Sequence, residues 1–333
     1  MPVKIAINGF GRIGRSVLRA LVEQDRRDIE IVAINDLGPV ESLAHLLRHD
    51  SVHGRFPATV TTGPDSLDVG RGPIRVTAQR DPAQLDWRGV DIVLECTGIF
   101  KSRDKAALHL ANGAKRVLVS APAEGADKTI VYGINHDLLS AEDHIVSNAS
   151  CTTNCLVPVV KVLDEAIGIE RAFMSTVHSY TGDQPTLDTL HADPYRGRAA
   201  AMSMVPTSTG AAKALTQVLP GMKGRIDGVA VRVPTPNVSL VDLTWDAARP
   251  TSAEEINEVI RAAANGPLQG ILGVTEEKLV SIDLNHDPRS SVFSTDQTRV
   301  TDGTLCRILT WYDNEWAFSN RMLDTAARMG KFL

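Results

Sequence analysis

The stretch Val3 to Ile7 is apolar at every position except Lys4, the pattern of a strand buried on both faces. A glycine-rich turn follows, then helical spacing of apolar residues through Val22, then a second apolar run from Ile29 to Ile34. That order predicts a βαβ unit. Short apolar runs at Ile74–Thr77, Ile92–Cys96, Arg116–Ser120 and His144–Ser147 predict further strands, and Ser102–Asn112 predicts a helix between them. The first half of the chain therefore reads as alternating α/β with a mostly parallel sheet.

The pattern changes after about residue 150. A helix is expected over Cys151–Ile167, then an apolar strand Ala172–Val177, a long polar stretch from His178 to Met204 and a helix over Ala211–Val218. Strands follow at Gly228–Val233, Ser239–Trp245, Leu279–Leu284, Ser291–Phe293 and Cys306–Trp311, with few helices between them. This predicts an α+β region with a mostly antiparallel sheet. Ser252 with Glu255 three residues later has the form of a capping box, opening a helix that Gly266 ends. A last helix is expected over Trp316–Met329.

Length and composition narrow the picture. The 333 residues are enough for two domains, and 43% hydrophobic with 23% charged residues is ordinary globular composition. The net charge of −5 offers nothing to a nucleic acid or an anionic membrane. No apolar run reaches the roughly 20 residues of a membrane span, and the N-terminus enters a strand without a signal-peptide pattern. A cytoplasmic location is the expectation. Four cysteines, Cys96, Cys151, Cys155 and Cys306, are too few for a disulfide scaffold, and their spacing suggests no metal site.

Two places carry candidate chemistry. Gly9, Gly11 and Gly14 form G-x-G-x-x-G between the first strand and its helix, and Asp36 ends the second strand 22 residues after Gly14. In that context the pattern is a dinucleotide-binding signature: bare backbone lets pyrophosphate reach the helix N-terminus, and the carboxylate accepts from the ribose hydroxyls. A negative Asp36, followed by apolar Leu37, favours NAD over NADP. Arg12 sits where it can reach a phosphate, and reads equally as a solvated charge at a helix start.

The second place is Ser147-Asn148-Ala149-Ser150-Cys151-Thr152-Thr153-Asn154-Cys155. Cys151 falls on the first turn of the expected helix, a position that lowers a thiol pKa. The hydroxyls of Ser150 and Thr152 flank it, while Cys155 with its apolar neighbours reads as core. Of nine histidines, His178 stands out because it ends an apolar strand and enters a polar loop. It is either the base for Cys151 or a histidine that merely caps a strand. Thr181, Arg196, Arg198, the turn Ser208-Thr209-Gly210 and Arg232 are anion-ligand candidates. Arg232, inside an apolar strand, needs either an anion or a structural ion pair.

Taken together, I-N-G-F-G-R-I-G-R at 7–15, S-N-A-S-C-T-T-N-C at 147–155, H-S-Y-T-G-D-Q at 178–184, S-T-G-A-A-K-A at 208–214, R-V-P-T-P-N-V-S at 232–239 and W-Y-D-N-E-W at 311–316 resemble the phosphorylating glyceraldehyde-3-phosphate dehydrogenase family from end to end. The resemblance implies a Rossmann NAD-binding domain over 1–150, to which the C-terminal helix at about 315–333 returns, and a catalytic domain over 151–314. It implies oxidation of D-glyceraldehyde 3-phosphate by NAD and inorganic phosphate to 1,3-bisphosphoglycerate, in glycolysis and gluconeogenesis, through Cys151 with His178. By the same resemblance Arg12, Ile13, Asp36, Arg80, Ser120 and Asn314 contact NAD. Thr181 and Arg232 hold the substrate phosphate, and Ser150, Thr152, Arg196, Thr209 and Gly210 serve the attacking phosphate. A homotetramer is implied, with 179–204 packed between subunits. Asp183 stands where many relatives have a second threonine, and Pro194, Gly197, Ala317 and Phe318 are less usual. The alternative is an erythrose-4-phosphate dehydrogenase, whose members diverge at S-T-G-A-A-K-A and around Thr181. Both places are intact here.

Overall fold

The structure is a computed structural model describing residues 1–333. The chain divides into two compact units, one of Met1–Ala149 with Ser319–Leu333, the other of Ser150–Phe318.

The first unit is built on a nine-stranded sheet. Its order is Lys128–Thr129, Ile145–Ser147, Arg116–Val119, Ile92–Glu95, Val3–Asn8, Ile29–Asn35, Pro73–Thr77, Ser66–Asp68, Thr61–Gly63. The first seven pair in parallel and the last two antiparallel. Val3–Asn8 lies between Ile29–Asn35 and Ile92–Glu95, so the chain runs out in both directions from it. That reversal leaves a crevice at the carboxyl ends of the strands, where α/β sheets bind ligands. Helices Arg12–Glu23, Val40–Arg48 and Arg103–Ala111 belong to this unit. Ile5, Ile7, Val17, Leu18 and Ile34 are wholly buried, which accounts for the unbroken apolar runs in the sequence.

The second unit has an eight-stranded mixed sheet. Along it run Val205–Thr207, Ile226–Val233, Ile169–Ser179, Ser239–Ala247, Leu305–Tyr312, Ser291–Ser294 and Leu272–Thr275, and Arg299–Thr301 also pairs with Leu305–Tyr312. Antiparallel pairs predominate, but Ile169–Ser179 and Ile226–Val233 run parallel, as do Leu272–Thr275 and Ser291–Ser294. The parallel pairing sets His178 opposite Arg232 in register. Leu156, Val160, Val241, Leu243, Phe293 and Ile308 form the buried layer between helix Cys151–Ala166 and the sheet.

Two local expectations need correction. Leu279–Leu284 is not a strand: Ser281–Leu284 forms a 3-10 turn in which Asp283 accepts from the Val280 amide, and Val280 and Ile282 are exposed. The strand lies earlier, at Leu272–Thr275. The capping box is half formed. The Ser252 hydroxyl accepts from the Glu255 amide at 3.2 Å, but the Glu255 carboxylate is drawn to Arg249 and Thr251 instead of reaching back.

Candidate active site

Helix Cys151–Ala166 opens where the chain leaves Ala149, whose φ of 57° is in the left-handed region. Ser150 is the N-cap and its hydroxyl accepts from the Thr153 amide at 3.0 Å, which puts Cys151 on the first turn. The Cys151 sulfur lies 3.6 Å from His178 Nε2. His178 Nδ1 lies 2.7 Å from the Ser179 carbonyl oxygen, so it carries the proton and leaves Nε2 as the acceptor facing the sulfur. His178 is therefore not simply a strand cap.

Arg232 surrounds the same carbonyl. Its Nη1 donates to the Ser179 oxygen at 3.0 Å and to Thr181 Oγ1 at 3.0 Å, and sits 3.1 Å from His178 Nδ1. It makes no ion pair, and its buried Nε has no hydrogen-bond partner. A half-buried guanidinium held only by neutral acceptors is not a structural salt bridge and keeps its charge available to an anion. Asp183 ties the neighbourhood together, accepting from Thr181 Oγ1 and from Arg196 Nη1, while Arg196 Nε donates to Thr207 Oγ1 at 2.9 Å. The departure at 183 thus builds a bridge between two anion-ligand candidates. Arg198 pairs with Asp188 on the exposed loop and plays no part here.

Burial dominates the protonation of this cluster. It pushes the Cys151 thiol above its ordinary value, with Arg232 and the Thr152 amide pulling the other way. The helix start alone does not produce the lowered thiol that its position suggests. Burial, then the charge of Arg232, brings His178 down to about 3, so the imidazole is neutral near pH 7. Together they form a neutral thiol facing a neutral base.

The remaining second-unit candidates are scattered. Thr152 Oγ1 is bonded to the Tyr312 hydroxyl at 2.8 Å, and Thr176 Oγ1 to the same hydroxyl at 2.9 Å. Thr209 Oγ1 accepts from the Ala211 amide and Gly210 caps helix Ala211–Val218, so this turn is a helix start. Asn314 is buried, and its Oδ1 accepts from the hydroxyls of Ser179 and Ser239, both at 2.9 Å. Sequence reading missed Tyr312, Ser239 and the Ser179 carbonyl; Tyr312 and Ser239 lie inside motifs already noted, but nothing in the pattern says which hydroxyls meet.

In the first unit, a crevice of about 290 Å³ is lined by Asn8, Gly9, Gly11, Asn35, Asp36, Gln79, Arg80, Cys96, Thr97 and Phe100 among others. The glycines fit a dinucleotide. Gly9 has φ 93° and a Cβ there would meet the Thr97 amide at 2.7 Å; one at Gly14 would collide with the Gly9 carbonyl; around Gly11 there is open space for a phosphate. Asp36 accepts from the Phe10 amide at 2.7 Å and the Gly38 amide at 3.3 Å, keeping acceptor capacity for ribose hydroxyls. Ile13 stands half-buried on the opening turn. Ser120 follows strand Arg116–Val119, its amide bonded to the Glu95 carbonyl. Arg12 Nη1 donates to the buried Asp50 at 2.6 Å.

One unit holds a glycine-turn crevice at a sheet reversal and the other a cysteine–histidine pair beside a half-buried arginine, features of the NAD-linked oxidoreductases. Two family models match the chain, the NAD-binding domain of glyceraldehyde 3-phosphate dehydrogenase over residues 3–103 and its C-terminal domain over 150–314. Glyceraldehyde-3-phosphate dehydrogenase of Cereibacter sphaeroides is 69% identical over 333 residues, covering all of both chains. That of Xanthobacter flavus is 68% identical over 99% of each chain, and glyceraldehyde-3-phosphate dehydrogenase 1 of Bacillus subtilis 52% over 99% of each. The chain belongs to the glyceraldehyde-3-phosphate dehydrogenase family.

Proposed function

We propose that this chain oxidises D-glyceraldehyde 3-phosphate to 1,3-bisphosphoglycerate with NAD and inorganic phosphate, the reaction shared by glycolysis and gluconeogenesis. The observation that carries the mechanism is the 3.6 Å approach of the Cys151 sulfur to a His178 whose other nitrogen is tied to the Ser179 carbonyl. Cys151 attacks the aldehyde carbon while its proton passes to His178 Nε2, giving a hemithioacetal oxyanion; loss of hydride from it leaves a thioester, which phosphate cleaves to release the acyl phosphate, the sulfur taking its proton back from His178. NAD, held by the Gly9–Gly14 turn, Asp36 and the residues Arg12, Ile13, Arg80, Ser120 and Asn314, supplies the hydride acceptor. Arg232 and Thr181 bind the phosphate already on the substrate, and Ser150, Thr152, Arg196, Thr209 and Gly210 serve the attacking one. A phosphate dianion beside Arg232 offsets the cation that holds His178 down, which makes the imidazole a stronger base once substrate is in place.

On this reading residues 1–150 with the C-terminal helix from about 315 handle the cofactor, and 151–314 the chemistry. Exposed Leu187, Leu190, Tyr195, Met202 and Met204 on the 179–204 segment suit burial against another copy of the chain, in a homotetramer. No helix is long and apolar enough to cross a membrane, and the proposed setting is the cytoplasm. Full-length relatives at this identity and the intact S-T-G-A-A-K-A block do not favour an erythrose-4-phosphate dehydrogenase.

The test is absorbance of NADH with each sugar phosphate, with and without inorganic phosphate. We expect turnover on glyceraldehyde 3-phosphate that requires phosphate, and Cys151→Ser without NADH production but with NAD binding intact. Phosphate-independent turnover favouring erythrose 4-phosphate overturns the reaction, and substantial activity in the serine variant overturns the nucleophile.

A further inference from the structure

Beneath the glycine-turn crevice lies a carboxylate that the reaction does not use. Glu95, at the end of strand Ile92–Glu95, is 1% exposed and pairs with no cation. Four donors converge on it. Oε2 accepts from Asn8 Nδ2 at 2.6 Å and faces His109 Nε2 at 2.9 Å; Oε1 accepts from the Thr97 amide at 2.8 Å and from the Thr97 hydroxyl.

The direction of every bond in this group can be deduced. Trp87 Nε1 is only a donor, and it lies 3.0 Å from His109 Nδ1. His109 Nδ1 is therefore unprotonated, the proton is on Nε2, and the ring is a neutral donor to Glu95. Asn8 must present its amide nitrogen to the carboxylate, which leaves Asn8 Oδ1 to accept from Asn35 Nδ2 at 2.8 Å. Asn35 Oδ1 in turn accepts from Thr77 Oγ1 at 2.9 Å and the Gln79 amide at 2.8 Å. One chain of bonds, all pointing toward Glu95, thus crosses the carboxyl ends of four neighbouring strands from Trp87 to Gln79. Asn8, Asn35, Gln79 and Thr97 are also crevice lining, and Gly9 packs directly on the Thr97 amide that Glu95 holds.

We infer that Glu95 is a positioning residue for the cofactor. Its carboxylate fixes the orientation of the Asn8 and Asn35 amides and of the Thr97 backbone, and so holds the crevice floor and the glycine turn in the arrangement the dinucleotide binds. Only a carboxylate satisfies all four donors. A glutamine places an NH2 group against at least one of them, and the conflict passes along the chain to the Gln79 amide. The inference rests on the reading that this crevice is the NAD site.

Calorimetry of NAD binding to the full-length protein tests it, with thermal melts to count folded molecules. Glu95→Gln should weaken NAD binding about tenfold, the effect of one buried donor left unpaired, while kcat at saturating NAD changes by less than about twofold. Trp87→Phe added to Glu95→Gln removes the donor that fixes His109, lets the ring shift its proton to Nδ1 and accept from the introduced side-chain amide, and should recover part of the lost affinity. A merely structural glutamate predicts the opposite, a further loss with each substitution. If Glu95→Gln does not fold, His109→Gln, which keeps both an acceptor and a donor, should bind NAD at least about threefold more tightly than His109→Leu. Wild-type affinity in Glu95→Gln, a double variant no tighter than the single one, or equal affinities in the two His109 variants overturns the proposal. Asp36→Ala in the same titrations separates the two failures: if it too leaves NAD binding unchanged, the crevice is not the cofactor site.

Discussion

The two units prepare for phosphate in opposite ways. In the first, the glycine turn offers backbone amides at a helix start and open space at Gly11, and its own arginine, Arg12, is paired with Asp50. The buried carboxylate of Glu95 lies beneath the turn. In the second, a half-buried guanidinium without an ion pair, Arg232, stands beside Arg196, next to a thiol and an imidazole that are both neutral. A pyrophosphate embedded in a large cofactor gains affinity along the whole molecule, so backbone dipoles suffice. A small sugar phosphate has little else to hold, and full charges must do it. On the proposed reading the difference also separates binding from reactivity, because the Arg232 that would attract the substrate also holds His178 below its ordinary value until an anion arrives.

The largest break in this comparison should come from His178→Asn. It removes the proton acceptor but leaves the glycine-turn crevice untouched. Acylation measured as a stopped-flow NADH burst should slow by roughly 10²- to 10⁴-fold, the usual scale of general acid–base help, with NAD affinity unchanged. An unchanged burst rate removes His178 from the mechanism. Asp36→Ala should act in the reverse sense and more weakly. NAD affinity should fall about tenfold, one charge-assisted hydrogen bond, while binding of NADP improves relative to NAD because the repulsion of a 2′-phosphate is gone. A variant that discriminates as well as the wild type places cofactor selection elsewhere.

The same contrast governs what could be read from the sequence. The first unit was legible because its function is written in consecutive residues: strand, glycines, helix and the acid at the end of the next strand all fall within Val3 to Asp36. The cysteine block and the polar loop were legible as candidates, but not their meeting, since His178 and Arg232 become neighbours only through a parallel strand pairing 54 residues apart. Protonation was least legible. A helix start argues for a lowered thiol, and only the burial of the folded site reverses the direction. Leu279–Leu284 failed for a related reason: alternating apolar residues there serve an exposed 3-10 turn capped by Asp283. Glu95 and His109 carry no local signal at all, because their significance lies in bonds across strands.

The smallest expected effect concerns acid stability, and it separates two groups whose titration differs in kind. For Asp50, burial raises the carboxyl, but Arg12 and the amides of His53 and Val52 more than offset that and hold it at about 2, against an ordinary value of 3.8. Its folded value is depressed, so its contribution is complete above about pH 3.8 and is lost as pH falls toward 2. His178 is depressed from 6.5 to about 3 because it is buried neutral, so its contribution starts to fade already below pH 6.5. Melting temperatures followed from pH 7 to 2.5 should therefore decline in two stages in the wild type. Asp50→Asn should be less stable than wild type at pH 7, with the gap narrowing only below about pH 4. His178→Asn should flatten the decline between about pH 6 and 4 and leave the lower stage in place. A gap for Asp50→Asn that closes already at pH 6 would mean that the Arg12 pair does not hold the carboxylate down.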